Sequence, residues 1–347
     1  MTAKIKNITT DIQKGQTITQ TQTKEGNIKV VAGGTDYAYF HNEANREANI
    51  ITIAASGTAG FVNFWDEPIF ASDCITIRGR NIEETKYIHY YLKSQQQEIF
   101  NFARGITHKH VYAKDIKKFP IPEIPVEIQR EIICKVEKLE EKYQKAKKEI
   151  EKYRKEIEKI FKEKPEKLLK LGQIGPMKMC KRIYQKETES QKNKIFEVPF
   201  YKIGTLGKTP DAYITKEKFN EYKEKYPFPK KGTILISASG TIGKTYVYNG
   251  EDAYFQDSNI VWLEHDEKIV SNRYLAKILP YISWNASDGS TIKRLYGNEF
   301  EETEIPIFTH QEHIINNITK LEENIEIEKE KRLRIQEEIN KILIENL

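Results

Sequence analysis

The eight residues Ile53-Ala54-Ala55-Ser56-Gly57-Thr58-Ala59-Gly60 return 183 positions later as Ile236-Ser237-Ala238-Ser239-Gly240-Thr241-Ile242-Gly243. Downstream, Gly105-Ile106-Thr107 with Lys109 and Tyr112 matches Gly289-Ser290-Thr291 with Lys293 and Tyr296 at an offset of 184, and Ile121-Pro122 matches Ile305-Pro306 at the same offset. Gln129, Ile132 and Ile133 then match Gln311, Ile314 and Ile315 at 182. Chance supplies one such match, not an ordered series at nearly constant offset. The chain reads as a tandem duplication, a feature that has to be found before any element is assigned.

Each copy opens on mixed, β-rich sequence. Ile50-Ile51-Thr52-Ile53 and Thr233-Ile234-Leu235-Ile236 read as strands that run into the Ser-Gly-Thr turn. Short helices are expected over 86–100 and 271–279. Ile121-Pro122 and Ile305-Pro306 then stop each globule, because the residue before proline avoids helical geometry.

Behind these stops the composition changes. Residues 130–164 hold 13 Lys/Arg and 9 Glu, residues 311–345 hold 6 and 9, and neither stretch contains Gly or Pro. Both read as long helices whose apolar residues keep a seven-residue beat. In the first, Val136, Tyr143, Ile150 and Ile157 form one row and Leu139, Ala146, Tyr153 and Ile160 the other. In the second, Ile318, Ile325 and Ile339 pair with Leu321, Ile335 and Ile342, while Arg332 and Glu328 interrupt the two rows. Rows alternating at spacings of three and four are a coiled-coil seam, and polar interruptions in one commonly fix register.

The expected fold is therefore α+β: a tandem pseudo-twofold repeat of a β-rich domain and a long helix, the two helices packing as an antiparallel coiled coil. The corresponding segments are 1–128, 129–164, 165–310 and 311–347. A helix of about 33 residues is roughly 50 Å long, so the pair would act as a spacer between globules.

Composition narrows the function class. The chain has 347 residues, with 56 Lys/Arg against 51 Asp/Glu and a net charge of +5, so a basic balance permits nucleic-acid binding without demanding it. The aromatic content of 11% argues against wholesale disorder. The most apolar stretch, 49–65, is broken by Thr52, Ser56, Gly57, Thr58, Gly60 and Asn63, short of the ~20 apolar residues that a membrane span needs. Cys74, Cys134 and Cys180 are far apart and form no CxxC pair, which reads as reduced thiols of a cytoplasmic protein.

Two recognition-sized globules alternating with two long helices resemble the specificity (S) subunit of type I restriction–modification systems. The resemblance covers essentially the whole chain. It is carried by the duplicated layout, by Pro199-Phe200-Tyr201-Lys202-Ile203-Gly204 and Ser239-Gly240-Thr241-Ile242-Gly243, and by Ile-Pro followed by a Gln-start helix in both copies. It implies that each globule is a target-recognition domain reading one half of a bipartite site in double-stranded DNA. It also implies that the helices set the gap and dock methyltransferase (M) subunits, two of them, with a restriction (R) subunit as a further partner. Catalysis and its cofactors (S-adenosylmethionine, ATP and Mg) would belong to those partners, and none to this chain. One departure stands out: about 50 residues precede the first Ser-Gly-Thr turn, whereas about 70 separate Pro165 from the second, which implies a trimmed first domain. Two other readings fit the layout: the specificity subunit of a gapped-site type II restriction–methylation enzyme, and a coiled-coil scaffold that does not bind DNA.

Catalytic motifs fail on inspection. None of the 12 prolines adjoins another, so the Asn/Asp-Pro-Pro-Tyr/Phe loop of an amino-methyltransferase is absent. Gly240-Thr241-Ile242-Gly243-Lys244-Thr245 lacks the first glycine of a phosphate loop, where Ala238 stands. Pro210-Asp211 followed by Glu221-Tyr222-Lys223 imitates a metal-nuclease signature, but acidic-x-Lys triplets are common in so charged a chain. His108-Lys109-His110 is answered in the second copy by Ile292-Lys293-Arg294, which favours a basic loop over a metal pair.

If the globules read DNA, Lys and Arg contacts to phosphates supply affinity, and polar or aromatic loop residues read base edges. In the first copy the candidates are Thr35, Tyr37, Tyr39, Ser56, Thr58, Arg104, His108 and Lys109. In the second they are Lys208, Thr209, Tyr213, Ser239, Thr241, Lys244, Lys293 and Arg294.

Overall fold

The structure is a computed structural model that describes residues 2–284 and 294–346. The chain divides into two compact units, Met1–Lys148 with Glu328–Leu347, and Glu149–Ile327.

In the first unit the strands Thr9–Lys14, Cys74–Gly79, Ile50–Ala54 and Val62–Trp65 form an antiparallel sheet in that spatial order. All five residues of Ile50–Ala54 are buried, because this inner strand is covered on both faces. Ile51 and Ile53 join Ile75 and Ile77 against the helix Ile82–Ser94, whose Tyr87, Ile88 and Leu92 complete that core. Ile50 points the other way, into a smaller core with Val31, Trp65, Ile69 and Cys74. This second core lies towards a three-stranded sheet ordered Tyr37–His41, Ile28–Val31 and Ile69–Ala71. A last pair, Thr2–Lys4 with Pro120–Pro122, brings the two ends of the globule together.

The second unit repeats this strand for strand. Its four-stranded sheet is ordered Met177–Met179, Ile260–Leu263, Ile234–Ser237 and Thr245–Val247; its three-stranded sheet is ordered Tyr213–Thr215, Phe196–Tyr201 and Tyr254–Phe255. Lys167–Lys170 pairs with Glu304–Ile307. The division of the core repeats as well: Ile234, Ile236, Val261 and Leu263 face the helical side, and Leu235, Ile260 and Trp262 the other sheet. Even a buried tether recurs, since the Tyr87 and Tyr274 hydroxyls donate to the carbonyls of Pro122 (2.6 Å) and Pro306 (2.8 Å). The duplication is one of fold.

The first copy is the shorter before its turn, yet it keeps every strand of the second. The second adds the helix Lys216–Lys225 between its Tyr213–Thr215 and Ile234–Ser237 strands. The single helix expected over 86–100 is two, Ile82–Ser94 and Gln96–Asn101, separated at Gln95.

The long helices run Val126–Lys162 and Gln311–Asn346, with Pro125 directly before the first. Within the first unit, Ile132, Ile133, Val136 and Leu139 share a core with Ile335, Ile339 and Leu343. The Arg332 guanidinium lies 4.5 Å from the Tyr143 ring centre and donates to its hydroxyl. Within the second unit, Ile150 and Ile157 pack with Ile325, flanked by Tyr153 and Leu321, while Ile160 joins the cluster of Ile314, Ile315 and Ile318. In each unit, later residues of one helix therefore meet earlier residues of the other, an antiparallel arrangement. Ala146 is fully buried, and Tyr143, Tyr153, Ile160, Leu321 and Ile342 are half-buried.

Cys74 and Cys180 are buried, which pushes their thiols up to about 12, and Cys134 is exposed; all three are free. Among the described residues no helix is long and apolar enough to cross a membrane, and no group of three or more His, Cys, Asp or Glu is placed to hold a metal.

Candidate nucleic-acid interface

The repeated octapeptide is a tight turn leaving an inner strand of each large sheet. In the first unit Gly60 N–H returns to the Ala54 carbonyl (2.8 Å), and in the second Gly243 N–H returns to Ser237 (3.0 Å). The glycine after the serine has φ +60 at Gly57 and +65 at Gly240, a left-handed conformation that favours glycine. The serine hydroxyls turn inward. Ser56 hydrogen-bonds to the Asp73 carboxylate, and Ser239 Oγ donates to Asn259 Oδ1 (2.7 Å). Ser239 is only 7% exposed, and its hydroxyl helps hold the turn.

Two loops meet this turn in the first unit. Thr58 N–H donates to the Gly33 carbonyl (2.8 Å), and Asn63 Nδ2 to the Thr35 carbonyl (3.2 Å), which brings up the 33–37 loop. Val111 N–H donates to the Ala55 carbonyl (3.0 Å) and holds the 104–110 loop beside it. Thr35, Tyr37, Thr58, Arg104, His108 and Lys109 are exposed. Lys29 Nζ lies 5.4 Å from the Tyr37 ring centre, and Arg104 pairs with Asp115 (3.2 Å). Tyr39 is half-buried, and its hydroxyl donates to the Ile18 carbonyl (2.5 Å).

The second unit repeats one of these contacts with different side chains. Leu295 N–H donates to the Ala238 carbonyl (2.9 Å), matching Val111 and Ala55, and Arg294 bridges Ser239 through the backbone. Thr241, Lys244, Arg294, Lys208 and Thr209 are exposed. Tyr213 is half-buried in a strand, where its backbone pairs with Glu189. Lys293 lies outside the described residues. The loop holding Lys208 packs close to the sheet, since a Cβ added at Gly207 would lie 3.1 Å from the Tyr246 ring.

Comparisons with known proteins address this twofold architecture. The family model described as the type I restriction modification DNA specificity domain matches residues 2–152 and again 164–337. The chain belongs to this family. A type I restriction enzyme specificity subunit of Haemophilus influenzae is 37% identical over 317 residues, which cover 86% of this chain and 80% of that protein. A type I specificity subunit of Mycoplasma pneumoniae is 30% identical over 116 residues, 32% of this chain and 31% of that one. Among solved structures, the type I S subunit from M. genitalium aligns with a TM-score of 0.58 at 18% identity, covering 100% of this chain and 96% of that chain. A chain from a structure on complex assembly of the type I system aligns with a TM-score of 0.53 at 15% identity, covering 100% and 97%. The last two show the shared fold.

For a type I specificity subunit, the enzymatic look-alikes in the sequence resolve into ordinary structure. Lys244 precedes the strand Thr245–Val247, whereas a phosphate loop leads into a helix. The nuclease-like residues are engaged separately: Asp211 with Lys202 (3.2 Å), Glu221 with Lys225 (3.0 Å) and Lys223 with Asp252 (3.9 Å). Asp73 and Asn259, which anchor the serines, were missed by sequence reasoning. Their signal was present as a repeated Ser-Asx pair, Ser72-Asp73 and Ser258-Asn259.

Proposed function

We propose that this chain carries the DNA recognition of a type I restriction–modification complex in the cytoplasm, each globule reading one half of a bipartite duplex target. The observation that carries this reading is a turn repeated in two copies of one fold, each copy carrying exposed basic and polar residues beside it that differ between copies. A constant framework with variable loops suits two different half-sites. No catalytic step is assigned to this chain. The long helices, at about 1.5 Å per residue, set the separation of the half-sites and dock two methyltransferase subunits. Those subunits bring S-adenosylmethionine, and ATP- and Mg-dependent cleavage belongs to a restriction subunit.

The test is long-read methylome sequencing of the host with and without the gene. Deletion is expected to abolish methylation at one split motif with several unread base pairs between its halves. An unchanged methylome would contradict the proposal.

A further inference from the structure

Ile106 is fully exposed, at 105%, while the next most exposed large apolar side chain among the described residues, Ile344, stands at 76%. Its loop is a built feature. Reciprocal backbone hydrogen bonds between Arg104 and His110 (2.9 and 2.8 Å) close it, and Gly105 turns it with φ +132. A Cβ at Gly105 would lie 2.0 Å from the His108 carbonyl oxygen, so only glycine permits this closure. The Val111 bond to Ala55 then fixes the loop beside the Ser-Gly-Thr turn.

The segment that carries Ile106 is rich in cations. Between Ala103 and Lys118 the chain carries Arg104, Lys109, Lys114, Lys117 and Lys118 against Asp115 alone, and Asp115 is already paired with Arg104 (3.2 Å). An apolar tip carried on a loop with Arg104 and Lys109 is poorly matched to an apolar protein surface. A duplex, by contrast, offers phosphates to the cations and a base stack to the isoleucine.

Resting on the reading of the globules as DNA-recognition domains, we infer that Ile106 is an apolar wedge, inserted between base pairs of the half-site read by the first globule. Apolar side chains used in this way unstack a base step and kink the duplex. The second copy has Ser290 at the matching position in sequence, so the wedge belongs to one half-site only.

The test uses the full chain co-purified with its methyltransferase subunits, on duplexes carrying the target mapped by methylation. 2-Aminopurine is placed in turn at each position other than the methylated base. The wild-type complex is expected to raise fluorescence at one step of the first half-site, and at none in the second. Ile106→Ser should remove that rise and weaken target binding roughly ten- to hundredfold. Its salt dependence should stay unchanged, and Ile106→Leu should restore the rise. Lys109→Ala should instead lower the salt slope by about 0.9 and keep the rise.

An equal rise in wild type and Ile106→Ser would overturn the wedge, as would no rise outside the methylated base. Loss of binding confined to targets with one thymine would replace insertion with a groove contact. Loss of the methyltransferase subunits from Ile106→Ser without DNA would make Ile106 a protein contact. If no split target is found at all, the recognition reading fails before the wedge is tested.

Discussion

Ser56 and Ser239 occupy the same place in the two copies, yet one bonds to a carboxylate, Asp73, and the other to an amide, Asn259. The sequence exposed the serines as a repeated motif but not their partners, because the partners come from the next strand pair. The two turn glycines differ in the same nonlocal way. A Cβ at Gly57 would lie 2.6 Å from the Gly33 carbonyl oxygen, whereas one at Gly240 meets nothing within 4 Å. Gly57→Ala is therefore expected to lower unfolding stability by about 1–3 kcal/mol, and Gly240→Ala by only about 1 kcal/mol of left-handed backbone cost. Urea titration of both variants checks the order. His89 supplies a pH dependence. Burial, reinforced by nearby Lys93, lowers its pKa to about 3, and its Nδ1 has no protein hydrogen-bond partner. Since an unfolded histidine titrates near 6.5, the unfolded chain takes up a proton between about pH 6.5 and 3 that the folded chain refuses. Stability from this residue is thus full above that window and falls as pH drops through it. Thermal melts at pH 7 and 5 should separate more widely for wild type than for His89→Leu; equal separations would discount the residue.

At the scale of elements, the heptad rows made the long helices legible, because a Lys/Glu-rich run without Gly or Pro has few alternatives to a helix. Arg332 was visible only as an interruption. The structure supplies its partner, Tyr143, on which the guanidinium stacks. Sequence matching places Ile150 and Ile325 at the corresponding positions of the other copy, so this contact is special to the first unit. Burial separates the residues of the second helix. Ile339 is 7% exposed and Leu333 is 65% exposed. Ile339→Ala should cost about 2–4 kcal/mol through the cavity it leaves, and Leu333→Ala should stay within about 0.5 kcal/mol. Equal losses in denaturant titration would contradict the seam. The helix Lys216–Lys225 escaped the sequence reading, since it has no counterpart in the first copy to reveal it. Only Phe219 of that helix is buried, so it carries little apolar periodicity.

For the molecule as a whole, duplication was the most legible property, and it extends from an octapeptide matched at six positions to the strand order of every sheet. The loops were legible as places and not as a code. Which base edge a side chain meets depends on the docked geometry of loops such as 33–37 and 104–110, and no residue spacing encodes that. The same independence of framework and loops yields the central claim, that each globule reads its own half of the target. Its most direct measurement is the methylome of a host in which residues 1–128 are replaced by the recognition domain of another specificity subunit. The account predicts a new split motif with one half changed and the other half untouched. A change in both halves, or in neither, would contradict it.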